Sequence, residues 1–181
     1  MKQLVVVLAL LLSPFVCAQK GLFLSAEQLH ERAFPGQDMS WKTLWITKDQ
    51  RQSIERILNH SFRGIRIRYW GEGSRTVWIF EEIGKELPIT IGVTVDAGTI
   101  ADMAVMEYRE SRGGEVRYPF FTDQFKGVAL RTESPPKLDG HVDGITGATL
   151  SVRAMKKIAT LALFCHQLTP FAEHERTPAS P

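Results

Sequence analysis

Residues Ile89-Thr90-Ile91-Gly92-Val93-Thr94-Val95 alternate apolar side chains with small ones, and Asp96-Ala97-Gly98 follows directly. A period of two puts successive side chains on opposite faces of a β-strand, so this stretch predicts a strand with one strongly buried face. The Asp-Ala-Gly segment predicts a tight turn. A further strand is predicted after that turn, over residues 99–108.

The residues before this strand predict a hairpin. Apolar and arginine side chains alternate over residues 65–69, a glycine-containing turn follows at 71–74, and residues 76–83 return as a second strand. Consecutive strands joined by short turns are typical of an antiparallel sheet. The fold class predicted from this pattern is therefore α+β, an antiparallel sheet flanked by helices.

Three helices are predicted around the sheet. Residues 25–28 and 47–50 are capping boxes, each with a hydroxyl residue followed three positions later by Gln. The last helix begins near Ser151 and carries apolar residues at three-to-four spacing as far as Cys165, which we interpret as a small buried hydrophobe rather than a reactive thiol. Before it, residues 109–147 form a long irregular stretch, which in a compact domain is usually functional or disordered.

Composition excludes several classes of protein. The chain has 181 residues and a formal net charge of +2, which suits one domain and gives no electrostatic reason to expect nucleic acid. The histidines have no metal-ligand spacing, so no metal is expected.

The predicted division of the chain is a signal peptide over 1–18, an N-terminal helical region over 19–62, the main domain over 63–169 and a flexible tail over 170–181.

The first eighteen residues predict export. Lys2 is followed by an apolar run over residues 4–12 and by Val16-Cys17-Ala18, a small-residue cleavage pattern. The run is shorter than the roughly 20 residues that span a bilayer. A lipid anchor on Cys17 and an uncleaved N-terminal anchor are the alternative interpretations. We therefore expect a periplasmic or other extracytoplasmic protein, associated with the membrane if the segment is retained.

Residues 143–151, Asp-Gly-Ile-Thr-Gly-Ala-Thr-Leu-Ser, lead directly into the predicted last helix. The N–H groups of a first helical turn lack partners within the helix, and the positive end of the helix dipole favours an anion. Gly147 and Ala148 permit close approach to the backbone, and Thr149 is placed at or just before the helix start. This arrangement fits a phosphate bound by backbone amides. A plain N-cap, with Thr149 or Ser151 bonding first-turn amides, is the alternative.

The same nine residues resemble the flavinylation motif of the FMN-binding domain family. That family includes the FMN-bearing subunits of the sodium-pumping NADH:quinone oxidoreductase and of the Rnf complex, and smaller exported electron carriers. The resemblance implies that a flavin transferase, with FAD as donor, joins FMN through its phosphate to Thr149. The cofactor-binding residues that it implies are Asp143, Thr146, Gly147, Ala148, Thr149, Leu150, Ser151, Glu110 and Gly113.

The resemblance continues upstream. Residues 108–113 occupy the place of the family's His-x-Glu-Thr-Pro-Gly element, which Glu110 and Gly113 match and from which Tyr108 and Arg112 depart. Residues 121–127 are similar to the Phe-x-Gly segment that follows, and the likeness covers residues 64–165. Glu110 and Asp143 are expected either to contact the ribityl chain or to bond the loop backbone.

A flavin ring also needs an apolar slot. Aromatic side chains of the loop region are the candidates, although packing in the core explains each of them equally well. They are Tyr108, Tyr118, Phe120, Phe121 and Phe125. Arg153, Lys156 and Lys157 either screen the phosphate or form a solvated helix face.

The sequence thus predicts an exported electron carrier with covalent FMN. No side-chain set for acid–base or nucleophilic catalysis is recognisable, which favours an electron-transfer protein over a self-contained enzyme. The expected partners are a flavin transferase during maturation and then a membrane-bound or soluble redox protein. Two alternatives stay open, an extracytoplasmic FMN-dependent reductase acting on a small acceptor and a binding module that never receives flavin.

Overall fold

The computed structural model describes residues 21–131 and 133–175. The predicted signal peptide, its two alternatives and the last residues of the predicted tail lie outside these ranges. The main feature is one antiparallel sheet in the order β1-β6-β5-β4-β3-β2. Its strands are β1 (Gly21–Leu22), β2 (Lys42–Trp45), β3 (Arg66–Glu72), β4 (Arg75–Ile83), β5 (Pro88–Asp96) and β6 (Thr99–Tyr108).

In the described ranges four α-helices accompany the sheet, which confirms the α+β class. They are α1 (Ala26–Ala33), α2 (Lys48–Leu58), α3 (Pro119–Thr122) and α4 (Thr149–Gln167). Both predicted capping boxes are present. In the first, Gln28 N–H donates to Ser25 Oγ at 3.2 Å and Ser25 N–H donates to Gln28 Oε1 at 2.8 Å. In the second, Thr47 and Gln50 exchange the same pair of bonds.

The two faces of the sheet are covered differently. The apolar residues of β5 at 89, 91, 93 and 95 are fully buried on the face covered by α2 and α4. On the other face Trp70 and Val77 pack with Leu29 of α1 in a smaller cluster. Gly92 of β5 lies under that helix, because a Cβ there would come within 2.6 Å of Leu29 Cδ2. The alternation read from the sequence therefore corresponds to two separate apolar layers.

The loop between β6 and α4 is built from short elements. It contains 3-10 turns at Gly114–Arg117 and Asp123–Phe125, helix α3, and a two-stranded ribbon of β7 (Leu130–Arg131) and β8 (Lys137–Leu138). A third 3-10 turn, Pro170–Glu175, follows α4. Among the described residues, no helix combines the length and hydropathy required to span a membrane.

Helix α4 is the longest of the described elements, and the long loop after β6 ends where it begins. Its buried face packs across β4 and β5, and Cys165 on that face is fully buried. Burial raises the pKa of the Cys165 thiol, which confirms its interpretation as an inert core residue. The N-terminus of α4 lies near the end of β6 and the β4–β5 turn, so three distant segments of the chain meet there.

Candidate functional site

Helix α4 begins without a side-chain cap. Ala148 is the N-cap residue and makes no side-chain hydrogen bond, and Thr149 is the first helical residue. Gly147 precedes them with φ +83°, a left-handed conformation that suits glycine. The side chain of Thr149 is exposed. Among the described residues, no hydrogen bond from a first-turn amide of α4 to the side chain of Thr149 or Ser151 supports the alternative of a plain N-cap.

The first-turn amides of α4 are available to a ligand. Val152 N–H donates to the Ala148 carbonyl at 2.9 Å and starts the helical hydrogen-bond ladder. Within the described ranges, the N–H groups of Thr149, Leu150 and Ser151 have no hydrogen-bond partner. These donors and the helix dipole favour an anion beside the Thr149 hydroxyl. The arrangement fits the phosphate end of a nucleotide cofactor.

Thr149 lines a cleft of about 490 Å³. Three segments line it: the β4–β5 turn, the residues just after β6, and the start of α4. Its lining residues are Lys85, Glu86, Glu110, Ser111, Arg112, Gly147, Ala148, Thr149, Leu150 and Ser151. The volume lies within the range of small-molecule and cofactor sites.

Glu110 fixes one wall of this cleft. The residue is 5% exposed, and its Oε1 accepts the backbone N–H groups of Lys85, Glu86 and Leu87 at 2.5, 2.6 and 3.0 Å. Burial by itself raises the pKa of Glu110, but these three donors stabilise the charged form, and the resulting pKa lies below its ordinary value. Glu110 is therefore an ionised positioning residue that holds the β4–β5 turn against the end of β6.

Gly113 brings the segment after β6 close to α4. Its φ is +80°, and a Cβ at this position would lie 2.9 Å from Ser151 Oγ and 3.4 Å from Ala148 Cα. Nearby, the Tyr108 hydroxyl donates to the Arg112 carbonyl at 2.5 Å. Gly113, one of the two residues that match the upstream family element, thus packs directly against the flavinylation-like motif.

Three of the sequence-predicted residues do not line the cleft: Gly113, which packs behind it, and Asp143 and Thr146. Asp143 is exposed, its carboxylate lies 3.1 Å from His141 Nε2, and its N–H donates to Gln124 Oε1 at 2.7 Å. Thr146 is an exposed turn residue just before Gly147. The structure therefore brings Glu110 and residues 147–151 together around the cleft, with Gly113 packed behind them. Asp143 and Thr146 belong to the loop that leads to it.

Sequence reasoning missed part of the cleft. Lys85 and Glu86 lie on the β4–β5 turn, and Ser111 and Arg112 follow Glu110. The turn showed no pattern that distinguishes it from any other hairpin connection. Ser111 and Arg112 had one signal, because they lie inside the upstream element that carries Glu110 and Gly113.

The aromatic candidates for a ring slot separate into two groups. Tyr108, Phe121 and Phe125 are fully buried and belong to the main core. Tyr118 and Phe120 are 44% and 62% exposed, with their ring centroids 6.3 Å apart. Only the second group presents aromatic surface to solvent without rearrangement of the core.

These features describe an α+β domain with a cleft at a helix N-terminus, where the unpaired first-turn N–H donors suit an anion. Residues 84–163 match the family model of the FMN-binding domain, and the match spans the β4–β5 turn, the segment after β6 and the start of α4. The chain thus contains a region similar to the FMN-binding domain family, and this similarity supports flavin binding. A search of curated proteins finds no match for the chain.

Proposed function

We propose that this protein is an exported electron carrier that holds FMN in a covalent bond between the cofactor phosphate and Thr149 Oγ1. It passes electrons between redox partners of a membrane-linked chain. A flavin transferase loads it after export, and a membrane-bound or soluble redox protein then exchanges electrons with it. The site of action is the periplasm or another extracytoplasmic compartment.

One observation supports the covalent assignment. Thr149 is exposed, is the first helical residue of α4 and lines the cleft, and it lies beside three backbone N–H groups that have no partner among the described residues. The donors and the helix dipole stabilise the negative charge of a phosphodiester at this position. The exposed hydroxyl is also open to a transferase.

FAD is the donor of the FMN group in the proposed attachment step. The Thr149 oxygen attacks the phosphorus of the FMN half, a phosphoester bond forms, and the pyrophosphate bond of FAD breaks. AMP leaves with the hydroxyl proton. The protein gains one FMN less one water, and no electron is transferred in this step.

The bound flavin supplies transfer of one or two electrons, and the chain supplies its position. Ionised Glu110 holds the wall formed by residues 85–87, and Gly113 keeps the segment after β6 against Ser151. A covalent tether keeps the cofactor at high effective concentration in a compartment where a dissociated flavin is diluted away.

The test is mass spectrometry of protein purified from a host that expresses a flavin transferase. We expect the intact protein to be heavier by one FMN less one water, with the added mass on the peptide that contains Thr149. Thr149→Ala is expected to abolish the added mass and the in-gel flavin fluorescence. Thr149→Ser, which keeps a hydroxyl nucleophile, is expected to retain both in part.

Two outcomes contradict the assignment. Unmodified wild-type protein, produced beside a transferase that modifies a known substrate in the same cells, would identify the domain as a binding module that never receives flavin. Covalent flavin that persists in Thr149→Ala would show that another residue is the attachment site. Matching far-ultraviolet circular dichroism of wild type and variant establishes that the fold is intact.

An extracytoplasmic reductase that acts directly on a small acceptor is the second candidate. It is favoured by a pocket rich in cations that lies farther along α4, described below. Steady turnover of a small acceptor by the purified flavoprotein, without a partner protein, distinguishes this function from that of a carrier.

A further inference from the structure

A second pocket, which we call the α4 pocket, lies farther along helix α4. It has a volume of about 320 Å³, is open to solvent, and is lined by residues of α2, of the segment from Pro135 to Val142 and of one face of α4. None of the residues that line the flavin cleft contributes to it. The α4 pocket is therefore a separate cavity.

The charged residues that line the α4 pocket are all basic. Arg and Lys side chains enter it from α2, β8 and α4, and no Asp or Glu is among its lining residues. Lys137 and Lys157 are paired with carboxylates outside the pocket, those of Glu133 at 3.1 Å and Glu82 at 2.7 Å. A local excess of positive charge remains.

Three of the cations have no carboxylate partner among the described residues: Arg56, Arg153 and Lys156. Arg56 donates to hydroxyl and carbonyl oxygens, including Ser134 Oγ at 3.4 Å. Lys156 Nζ donates to the Val142 carbonyl at 2.7 Å and keeps its other two N–H donors. Arg153 is exposed, and no hydrogen bond of its guanidinium is found in the described ranges. Their donors fit a carboxylate.

The remainder of the lining is largely apolar. Ile57 of α2, Leu138 of β8 and Val142 contribute aliphatic surface, and Pro135 and Pro136 add to it. A small inorganic ion would leave this surface without contacts. An organic anion with a compact apolar body satisfies both parts of the lining, since polar groups fix orientation and apolar contact adds affinity.

The α4 pocket lies on the same helical face as the attachment site. Thr149, Arg153, Lys156 and Thr160 are spaced by four, three and four residues, which places them in one row along α4. At about 1.5 Å of rise per residue, Arg153 lies roughly 6 Å and Lys156 roughly 10 Å along the axis from Thr149. A ligand in the pocket is therefore a neighbour of any cofactor attached at Thr149.

We infer that the α4 pocket binds a small organic carboxylate with a compact apolar body, held by Arg153, Lys156 and Arg56. The position of this ligand beside a flavin rests on the proposed function, whereas the binding itself does not. If the flavin assignment fails, the anion site is still expected in the flavin-free protein.

The experiment is a nuclear magnetic resonance titration of flavin-free wild-type protein, prepared in a host without a flavin transferase. Benzoate is the probe, and benzamide is its uncharged counterpart of nearly the same shape. We expect benzoate to shift the amide signals of residues 138–142 and 153–160, and to bind at least about tenfold more tightly than benzamide. That ratio corresponds to the loss of one charge-assisted hydrogen bond.

Arg153→Gln combined with Lys156→Gln is expected to weaken benzoate binding by about tenfold or more. Arg32→Gln combined with Lys126→Gln removes the same charge away from the pocket and is expected to change the affinity less than about twofold. Dispersed spectra that match the wild-type spectrum outside the substituted regions show that both variants are folded.

Several outcomes overturn the inference. Equal affinity for benzoate and benzamide would show that the charge of the ligand does not contribute to binding. Equal weakening of benzoate binding by the two double variants would show that only the net charge of the protein matters. Shifts confined to residues 147–151 would assign the anion to the start of α4. Loss of benzoate binding after covalent flavin loading would show that the pocket holds the flavin ring, whereas a benzoate affinity within about threefold of the flavin-free value supports a separate site.

Discussion

The hydroxyl of Tyr108 lies 3.0 Å from Ser151 Oγ, which joins the last residue of β6 to the first turn of α4. Both side chains are buried, and the tyrosine hydroxyl also donates to the Arg112 carbonyl. The sheet, the segment after β6 and the helix are thus connected at one polar point within an apolar core. This connection positions Thr149, two residues before Ser151, relative to the cleft.

Tyr108→Phe is expected to destabilise the protein by about 1–3 kcal/mol, because it leaves the Arg112 carbonyl and the buried Ser151 hydroxyl without their partner. Urea unfolding monitored by circular dichroism measures this loss. Tyr118→Phe is the matched control, since the Tyr118 side chain is exposed, and a change within about 0.5 kcal/mol is expected there. Similar losses in both variants would contradict a specific role for the Tyr108 hydroxyl.

Gly113→Ala tests the close approach of the segment after β6 to α4. Gly113 and Gly127 have nearly the same positive φ, +80° and +77°, but a Cβ at 113 meets Ser151 Oγ at 2.9 Å whereas a Cβ at 127 meets nothing within 4 Å. Gly127→Ala therefore measures backbone strain alone, about 1 kcal/mol. Gly113→Ala is expected to cost about 1–3 kcal/mol more and to lower flavin incorporation in the mass assay. Equal unfolding free energies for the two variants would exclude a contribution from the contact.

Glu110→Gln tests the ionised carboxylate that holds the β4–β5 turn. The amide oxygen of Gln still accepts hydrogen bonds, so a loss of about 1–2 kcal/mol is expected at neutral pH, and Glu110→Ala is expected to lose more. The pKa of Glu110 is lowered in the folded state. The stability that the ionised Glu110 carboxylate contributes to the fold is therefore fully present above the ordinary pKa of Glu. It disappears as the pH falls through the lowered pKa of the folded state. Urea midpoints measured from pH 7 to pH 3 follow this change.

Glu72→Gln is the control for that series, because Glu72 is exposed at the end of β3. Its unfolding free energy is expected to stay within about 0.5 kcal/mol of wild type across the range. If Glu110→Gln and wild type differed by the same amount at pH 3 and at pH 7, the carboxylate charge would not be the source of the stabilisation.

The strands and caps of this fold were predictable because their signals are local. The alternation over residues 89–95 and the two capping boxes each fall within a few consecutive residues. No local pattern predicts strand β2, because Lys42–Trp45 is a short edge strand with little buried surface. Strand β1 has only two residues and pairs with Tyr108 and Glu107, far along the chain. Short edge strands depend on their neighbours and carry almost no periodicity of their own.

The residues of the candidate site were likewise predictable only where they are contiguous in the sequence. Residues 147–151 are contiguous and lead into a helix, so their shared position follows from the sequence. The wall at residues 85–87 is held by a carboxylate about 25 positions away, and no local pattern reports that contact. Conversely, Asp143 is near Thr149 in sequence, but its hydrogen bonds are to His141 and Gln124. Loop geometry, rather than distance along the chain, decides which polar side chains line a cleft.

His60 and Glu82 provide a pH-dependent contact between the end of α2 and β4. His60 Nε2 lies 2.9 Å from Glu82 Oε2, and the Glu82 side chain is 3% exposed. The hydrogen bond to Glu82 raises the pKa of His60, so its stabilisation is present below the ordinary pKa of histidine and disappears as the pH rises through the raised value. Because the imidazole is half-exposed, we expect this contact to contribute less than about 1 kcal/mol to the free energy of unfolding.

His60→Gln should remove this pH dependence of stability between pH 5 and pH 8, as followed by thermal unfolding. His141→Gln, in an exposed pair with Asp143 at 3.1 Å, should leave the wild-type pH profile unchanged, and a profile altered equally by both variants would refute the assignment to His60.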